Sequence, residues 1–163
     1  MKRKRSFRRA QAGFSLVELL IVIAIIGILA AVAVPQLLKN LETGREAGAM
    51  QTLRTIHNNQ AQFQATKQRF ATLKELSEAG YLTSSYASGA PVSGYKYTSD
   101  AEVTQDRYCV QATRQGSSTA SRDFNVIEDG TIRFVESKSP NPIPHGEGLP
   151  LAEAGSATGA PAK

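Results

Sequence analysis

The 163-residue sequence contains a single cysteine, Cys109, which excludes any disulfide bond within the chain. It also lacks a phosphate-binding glycine loop and a dinucleotide-binding fingerprint. We interpret its two histidines, His57 and His145, as solvated side chains, because neither has an acid at the spacing of a metal site or catalytic triad. Cys109 lies in a strand-like run, where a free cysteine usually acts as a small apolar residue. The sequence therefore predicts no enzyme, no cofactor and no metal centre.

Acidic residues are absent from the first 13 positions, and this uneven charge weakens a nucleic-acid-binding interpretation of the net charge of +5. Residues 1–13 hold six of the 19 basic side chains, which leaves 13 basic and 14 acidic side chains in the rest of the chain. If the basic segment is removed, the remainder carries a net charge of −1, and no argument for polyanion binding survives. Nucleic acid is therefore not a predicted partner.

A run of 21 mostly apolar residues, 14–34, follows the basic segment. Glu18 is its only charged residue, and Ser15 is its only other clearly polar one. As a helix the run would span roughly 32 Å, close to the hydrocarbon thickness of a bilayer. The basic residues before it favour a cytoplasmic N-terminus and a chain that lies outside the cytoplasm after residue 34.

Two simple explanations of this run are a cleaved secretory signal peptide and a signal anchor. The residues "AVA" at 31–33 fit a small-x-small cleavage site, but the preceding run exceeds the usual apolar region of about 7 to 15 residues and contains Glu18. A signal anchor explains the length and the orientation, but it does not explain the sequence "AGFSLVE" at the start of the run.

The block "GFSLVELLIVIAIIGILAAVAVP" resembles the N-terminus of type IV pilins and pseudopilins. This resemblance implies cleavage by prepilin peptidase between Gly13 and Phe14, followed by N-methylation of Phe14. Glu18 stands where that family places an acid, fifth in the mature chain. Gly27 and Pro35 fall where many members of the family interrupt the long first helix.

Glu18 is the residue that this resemblance explains best. A carboxylate at the centre of a bilayer costs about 2.5 to 3.5 kcal/mol on insertion scales. Cleavage would give Phe14 a positively charged amino group, and in a dry helix bundle this amine, from a neighbouring subunit or the same one, is the natural partner of Glu18. We therefore interpret Glu18 as the residue that sets subunit register during assembly. The alternative is a solvated Glu18 that reaches the membrane interface without a partner.

Gly27 and Pro35 are expected to weaken the first helix. Pro35 cannot donate a hydrogen bond to the carbonyl of Ala31, and a proline costs about 3 kcal/mol in a regular helix. Gly27 adds about 1 kcal/mol. We hypothesise that the segment between them unwinds locally on assembly, whereas an isolated subunit keeps a helix with a mild kink.

Beyond Pro35 the helical pattern continues to about Phe70. An amphipathic stripe runs along it at alternating steps of three and four residues, through Leu53, Ile56, Gln60, Phe63, Lys67 and Phe70. A second, short helix is predicted in "ATLKELSEAGYL", where Thr72 and Glu75 have the spacing of a capping box and Gly80 suits a C-terminal cap.

Strand-like runs follow at residues 94–99 and 107–114, and two more flank a strong hairpin signal at Asp129 and Gly130. The acidic stretch "DAEVTQD", residues 100–106, is interpreted as an ordinary loop, with calcium coordination as the alternative. Residues 139–163 contain five of the seven prolines and no strand pattern, which predicts a flexible or surface-draped tail.

The predicted fold class is α+β, with a long N-terminal helix packed on a small antiparallel sheet of three or four strands, as in pilin heads. The predicted segments are a removed leader, a membrane-spanning or filament-core helix, an amphipathic helix, a globular head and a flexible tail, at residues 1–13, 14–34, 35–70, 71–138 and 139–163. Many pilins close their last strand with two cysteines, so Cys109 alone leaves open what stabilises the C-terminal edge.

The resemblance implies a structural subunit of a type IV pilus. The subunit would cross the bacterial inner membrane once, with its N-terminus in the cytoplasm and its head in the periplasm, and would then enter an extracellular filament. Implied partners are other copies in a homopolymer or mixed filament, prepilin peptidase, an inner-membrane assembly platform and, before assembly, membrane lipid. A pseudopilin of a type II secretion system shares the same N-terminus and is the first alternative. The second is a signal-anchored periplasmic protein that does not polymerise.

Overall fold

The computed structural model describes residues 14–100, 102–116 and 122–153. The predicted leader with Gly13, and the tail beyond residue 153, lie outside the described residues. In chain order the elements are α1 (Leu16–Lys67), α2 (Leu73–Glu78), α3 (Ser84–Ala87), β1 (Tyr95–Ser99), β2 (Cys109–Arg114), β3 (Arg122–Ile127), β4 (Ile132–Glu136), β5 (Leu149–Pro150) and a 3-10 turn (Leu151–Glu153). The strands form one antiparallel sheet in the order β1-β2-β3-β4-β5. The predicted α+β class is confirmed.

The chain divides into two units, the first ending at Asn40 and the second beginning at Leu41. In the first unit, every large apolar side chain from Phe14 to Val34 is exposed, by between 43% and 77%. α1 passes through Gly27 and Pro35 without an interruption, as expected for an isolated subunit. Unwinding on assembly stays a prediction.

In the second unit, α1 buries one face against the sheet. The buried residues recur at steps of four and three, and they are Ala49, Leu53, Ile56, Gln60 and Phe63. The apolar ones share a core with residues in the sheet or next to it, which are Tyr95, Tyr97, Tyr108, Val110, Ala112, Phe124, Val126, Ile132 and Phe134. Each fully buried large apolar side chain contributes about 1.5 to 3 kcal/mol relative to exposure. The predicted stripe is therefore confirmed as far as Phe63.

α1 ends at Lys67, before the predicted end at Phe70. Gln68 adopts a left-handed backbone with a φ of 58°, and its N–H donates to the carbonyl of Gln64 at 2.8 Å. Helices commonly end on such a residue, but it is usually glycine. A glutamine in a sequence does not indicate the end of a helix, and the predicted end at Phe70 was wrong. Phe70 is still buried, from the loop that follows α1.

The capping box predicted for α2 is confirmed. Thr72 Oγ1 accepts a hydrogen bond from the backbone N–H of Glu75 at 3.2 Å, and Glu75 Oε2 accepts one from the N–H of Thr72 at 2.8 Å. Arg69 donates to the other carboxylate oxygen of Glu75 at 2.6 Å. Gly80, with a φ of +80°, follows the end of this helix as predicted.

The predicted hairpin joins β3 to β4. Thr131 N–H donates to Asp129 Oδ1 at 2.7 Å across the turn, and Gly130 has a φ of +72°. Phe124 lies opposite Phe134 in the paired strands. Aromatic pairs of this kind contribute to sheet stability through direct cross-strand contact.

The sheet has one strand more than the sequence predicts, because part of the proline-rich tail pairs with it. In β5, Leu149 pairs with Phe134 and Pro150 pairs with Arg133. Upstream of β5, Ile143 is only 1% exposed. The sequence predicted no strand here, because a two-residue strand that ends in proline has no alternating pattern. The structure corrects that prediction.

Candidate assembly site at the N-terminus

The candidate site is the first turn of α1 and the two residues before it. Phe14, 77% exposed, precedes the helix, and Leu19 N–H donates to the carbonyl of Ser15 at 3.2 Å in the opening turn. Glu18 lies in this turn and is exposed. The partial positive charge of a helix N-terminus favours a carboxylate there by about 0.3 to 1 kcal/mol. The fold therefore places Phe14 and Glu18 about one helical turn apart at the start of a long apolar helix.

The apolar surface that follows is long enough, and apolar enough, to cross a membrane. None of its large side chains is buried within the chain. A continuous apolar surface of this extent marks contact with lipid or with other protein chains. The site therefore combines the carboxylate of Glu18 with a long apolar surface that is unfavourable in contact with water.

Gly27 and Pro35 lie within α1, and the chain's own packing does not require glycine at position 27. A Cβ atom added at Gly27 would meet nothing within 4 Å. Pro35 is accommodated in a continuous helix. The structure places both residues on the exposed part of α1.

His57 is not the solvated side chain that the sequence suggested. Its Nδ1 lies 2.6 Å from the hydroxyl of Tyr108, and the two rings stack. Its Nε2 also lies 2.7 Å from the position that a Cβ atom on Gly130 would take. His57 therefore packs α1 against the turn between β3 and β4, and the interpretation is corrected.

His145 likewise has a partner that local sequence spacing could not reveal. Its Nε2 lies 2.9 Å from Oε2 and 3.1 Å from Oε1 of Glu128, 17 positions earlier in the chain. Burial is the largest single effect and raises the pKa of Glu128, but the hydrogen bonds from His145 and from backbone N–H groups together outweigh it, and the net pKa is below the ordinary value. The interpretation of His145 as a solvated side chain was therefore wrong, because the side chain is 17% exposed and paired with Glu128.

Cys109 is fully buried, and burial raises the pKa of its thiol to about 11. Because the thiolate is the reactive form, this thiol is inert near neutral pH, which agrees with its interpretation as a small apolar residue. In the acidic loop at 100–106, Glu102 and Asp106 are exposed. Across residues 14–100, 102–116 and 122–153, no group of three or more histidine, cysteine, aspartate or glutamate side chains is placed to hold a metal ion.

Sequence reasoning missed a buried ion pair between two strands. Arg114 Nη1 lies 3.2 Å from Asp123 Oδ2, and the two side chains are 4% and 1% exposed. Asp123 also accepts hydrogen bonds from the backbone N–H of Arg114 at 2.8 Å and of Asn141 at 2.9 Å. No local sequence signal marks this pair, because Arg114 and Asp123 lie in different strands, nine positions apart.

Comparison with known proteins gives a family match at this N-terminal segment and several similar proteins. The family described as "Prokaryotic N-terminal methylation motif" matches residues 8–34. Type IV major pilin protein PilA of Myxococcus xanthus is 38% identical over 65 residues, which cover 40% of this chain and 30% of that protein. Competence protein ComGC of Halalkalibacterium halodurans is 37% identical over 73 residues, 44% of this chain and 72% of that protein. Type II secretion system core protein G of Aeromonas hydrophila is 32% identical over 68 residues, 42% of this chain and 48% of that protein.

The matched stretch thus spans less than half the length of the Myxococcus and Aeromonas relatives and most of the Halalkalibacterium one. These are the names of a pilin, a competence protein and a secretion-system core protein, and none is the name of an enzyme. No solved structure matches the chain.

Proposed function

Because the chain belongs to the type IV pilin and pseudopilin family, we propose that it is the structural subunit of a type IV pilus. In this proposal prepilin peptidase removes residues 1–13 by cleaving between Gly13 and Phe14, and the new amino group of Phe14 is methylated. The subunit then stays in the bacterial inner membrane, which residues 14–34 cross, and its head lies in the periplasm. An assembly platform in that membrane moves it into the extracellular filament.

The exposed apolar surface from Phe14 to Val34, which begins just before α1, is the single observation that carries this proposal. Lipid covers this surface before assembly, and the same segments of other copies cover it in the filament. Lipid tails are as apolar as the side chains, so transfer from bilayer to bundle brings little hydrophobic gain. Close packing and the few polar interactions therefore decide how the helices associate.

Glu18 supplies the polar interaction in this mechanism. It is the only charged residue from Phe14 to Val34, so an unpaired carboxylate in a dry bundle would be costly. The amine of Phe14 on a neighbouring subunit offsets that cost only when the two chains are in one axial position. Glu18 thereby specifies register, while Gly27 and Pro35 give the helix a segment that can unwind as the filament forms.

A second candidate function is that of a pseudopilin in a type II secretion system. The observation in its favour is the 32% identity to type II secretion system core protein G over 68 residues. The two candidates share processing and the role of Glu18. They differ in cells that lack this chain, which would lose surface filaments in the first case and export of secreted proteins in the second.

The test starts with mass spectrometry of the N-terminus of the mature chain, where we expect N-methylated Phe14. It continues with Glu18→Ala, which we expect to be processed normally and to give at least about tenfold fewer sheared filaments, since about 1.4 kcal/mol per contact is a tenfold change. Glu102→Ala, which removes an exposed acid in the head, is the matched control and should assemble normally. An intact Met1, a start at Val34 or a normal filament yield from Glu18→Ala would contradict the proposal.

A further inference from the structure

β3 is buried on both faces, although it belongs to a single sheet. Its residues from Asp123 to Ile127 form an unbroken buried run. Phe124 and Val126 belong to the core shared with α1. Side chains alternate along a strand, so Asp123 and Asn125 lie on the opposite, outer face of the sheet. Something other than α1 must therefore cover that face.

The cover is the segment at residues 137–150, which we name the C-terminal strap. The side-chain amide of Asn125 donates hydrogen bonds to three carbonyls in the strap, at distances of 3.4 Å, 2.9 Å and 3.3 Å to Ile143, Pro144 and Glu147. Asp123 holds the start of the strap through the N–H of Asn141. These anchors are polar and non-covalent, and they hold the part of the chain for which the sequence offers no disulfide.

His145 is the one side chain of the strap that reaches an acid on the turn after β3. Its ring nitrogen contacts both oxygens of Glu128, and the two side chains are 17% and 32% exposed. Glu128 Oε2 also lies 3.4 Å from the backbone nitrogen of Tyr108, the residue before β2. The contact therefore joins the strap to two parts of the sheet.

We propose that the C-terminal strap is a pH-sensitive clasp on the outer face of the sheet, with the His145–Glu128 contact as its latch. A neutral imidazole gives Glu128 one hydrogen bond, whereas a protonated imidazole gives it a hydrogen bond and an ion pair, and charged hydrogen bonds are about twice as strong as neutral ones. Imidazoles gain a proton between about pH 8 and pH 5. The strap is therefore held more tightly in mild acid than in mild base.

The carboxylate sets the lower limit of this behaviour. A pKa held below 4.5 in the folded state means that the stabilising effect of Glu128 is present above that pH. This stabilising effect is lost as the pH falls through the folded-state pKa of Glu128, because the carboxylate is then protonated and neutral. The latch is therefore strongest between the range where histidines titrate and the range where Glu128 gains a proton.

Four other charged or titratable groups near the latch keep one charge state across this range. Burial raises the pKa of the Tyr108 hydroxyl and of the Cys109 thiol, so both stay neutral. The guanidinium of Arg133 has a pKa raised by its hydrogen bond to Asp129, which stays ionised because the same contact lowers its pKa. The remaining neighbours are Glu147 in the strap and His57 in α1, the latter in contact with Tyr108.

The experiment is hydrogen–deuterium exchange of the full chain in detergent micelles, read on peptides that cover the strap. The backbone N–H groups of Asn141 and Glu147 are reporters, because they donate to Asp123 and to the carbonyl of Pro144. Wild type is compared with His145→Gln at the same pH, so that intrinsic exchange rates and the contribution of His57 cancel. Gln keeps a hydrogen-bond donor and cannot gain a proton.

We expect the strap of wild type to exchange about fivefold more slowly than that of His145→Gln near pH 5.5, and within about twofold near pH 8. Glu128→Gln, which removes the charge from the other partner, should abolish the pH dependence in the same way. Glu136→Gln, which breaks the exposed pair with Arg122 in β3, is the matched control and should leave strap exchange unchanged. Equal wild-type-to-variant ratios at the two pH values, or the same change in peptides from β1, would overturn the proposal.

Discussion

The side-chain amide of Gln60 makes two hydrogen bonds with the backbone of Ala71. Its Nε2 donates to the carbonyl at 2.5 Å, and its Oε1 accepts from the N–H at 2.9 Å. Both residues are fully buried. The amide thus satisfies the backbone N–H and carbonyl of Ala71, which lies in the loop between α1 and α2. The polar residue in the buried stripe is therefore part of the core that joins the helix to the loop.

Replacing Gln60 by methionine should lower the free energy of unfolding by about 2 to 4 kcal/mol. Methionine keeps the length and flexibility of the side chain, but it leaves the N–H and the carbonyl of Ala71 buried without partners, at about 1 to 3 kcal/mol for each group. Denaturant unfolding of the full chain in micelles measures the loss. Gln62→Met, at an exposed position of the same helix, should stay within about 0.5 kcal/mol of wild type. Equal losses for the two variants would show that the paired amide contributes nothing specific.

The features that the sequence predicted correctly are those encoded over short distances. The stripe from Leu53 to Phe63 follows the 3.6-residue repeat, because burial of one helix face imposes that spacing. The capping box of Thr72 and Glu75 and the turn at Asp129 and Gly130 depend on groups within three residues of each other. Local chemistry alone decides such elements, so reading them needs no knowledge of the fold.

The features that the sequence did not predict depend on residues that only the fold brings together. Asn125 and Glu128 meet the strap because β3 passes beneath it, and no local pattern marks either one as a partner. At the N-terminus the situation is reversed. A contiguous sequence motif identifies Glu18 as a site residue, while the partner that we propose for it belongs to another copy of the chain. The packing of a single chain therefore neither supplies that contact nor requires it.

Glu75 should make stability depend on pH in the acid range. The hydrogen bond from Arg69, helped by the N–H of Thr72, lowers the pKa of this carboxyl to about 2 from an ordinary value of 4.5. Its stabilising effect is therefore present above pH 4.5 and is lost as the pH falls towards about 2. Glu75→Gln should unfold more readily than wild type at neutral pH, and the difference should shrink in acid.

Thermal unfolding at several pH values measures this dependence. Solvent reaches the pair of Glu75 and Arg69, so the effect is smaller than the shift in pKa alone would give. Glu78→Gln is the matched control, because Glu78 forms an exposed pair with Lys74 one helical turn away, at 3.8 Å. It should change stability little at any pH. A constant difference between Glu75→Gln and wild type from neutral pH to acid would refute the ionic explanation.

Gly148→Ala should loosen the C-terminal strap and lower the free energy of unfolding by about 2 to 3 kcal/mol. Gly148 has a φ of +95°, and an added Cβ would lie 3.1 Å from Cβ of Arg133 and 3.2 Å from the carbonyl oxygen of Phe134. A left-handed backbone costs an alanine about 1 to 2 kcal/mol, and overpacking against β4 adds about 1 kcal/mol or more. Gly146→Ala separates the two effects, because Gly146 has a φ of +78° but open space around it. Denaturant unfolding should therefore show a larger loss for position 148, with faster exchange in strap peptides. Equal losses at the two positions would mean that close contact between the strap and β4 does not contribute to stability.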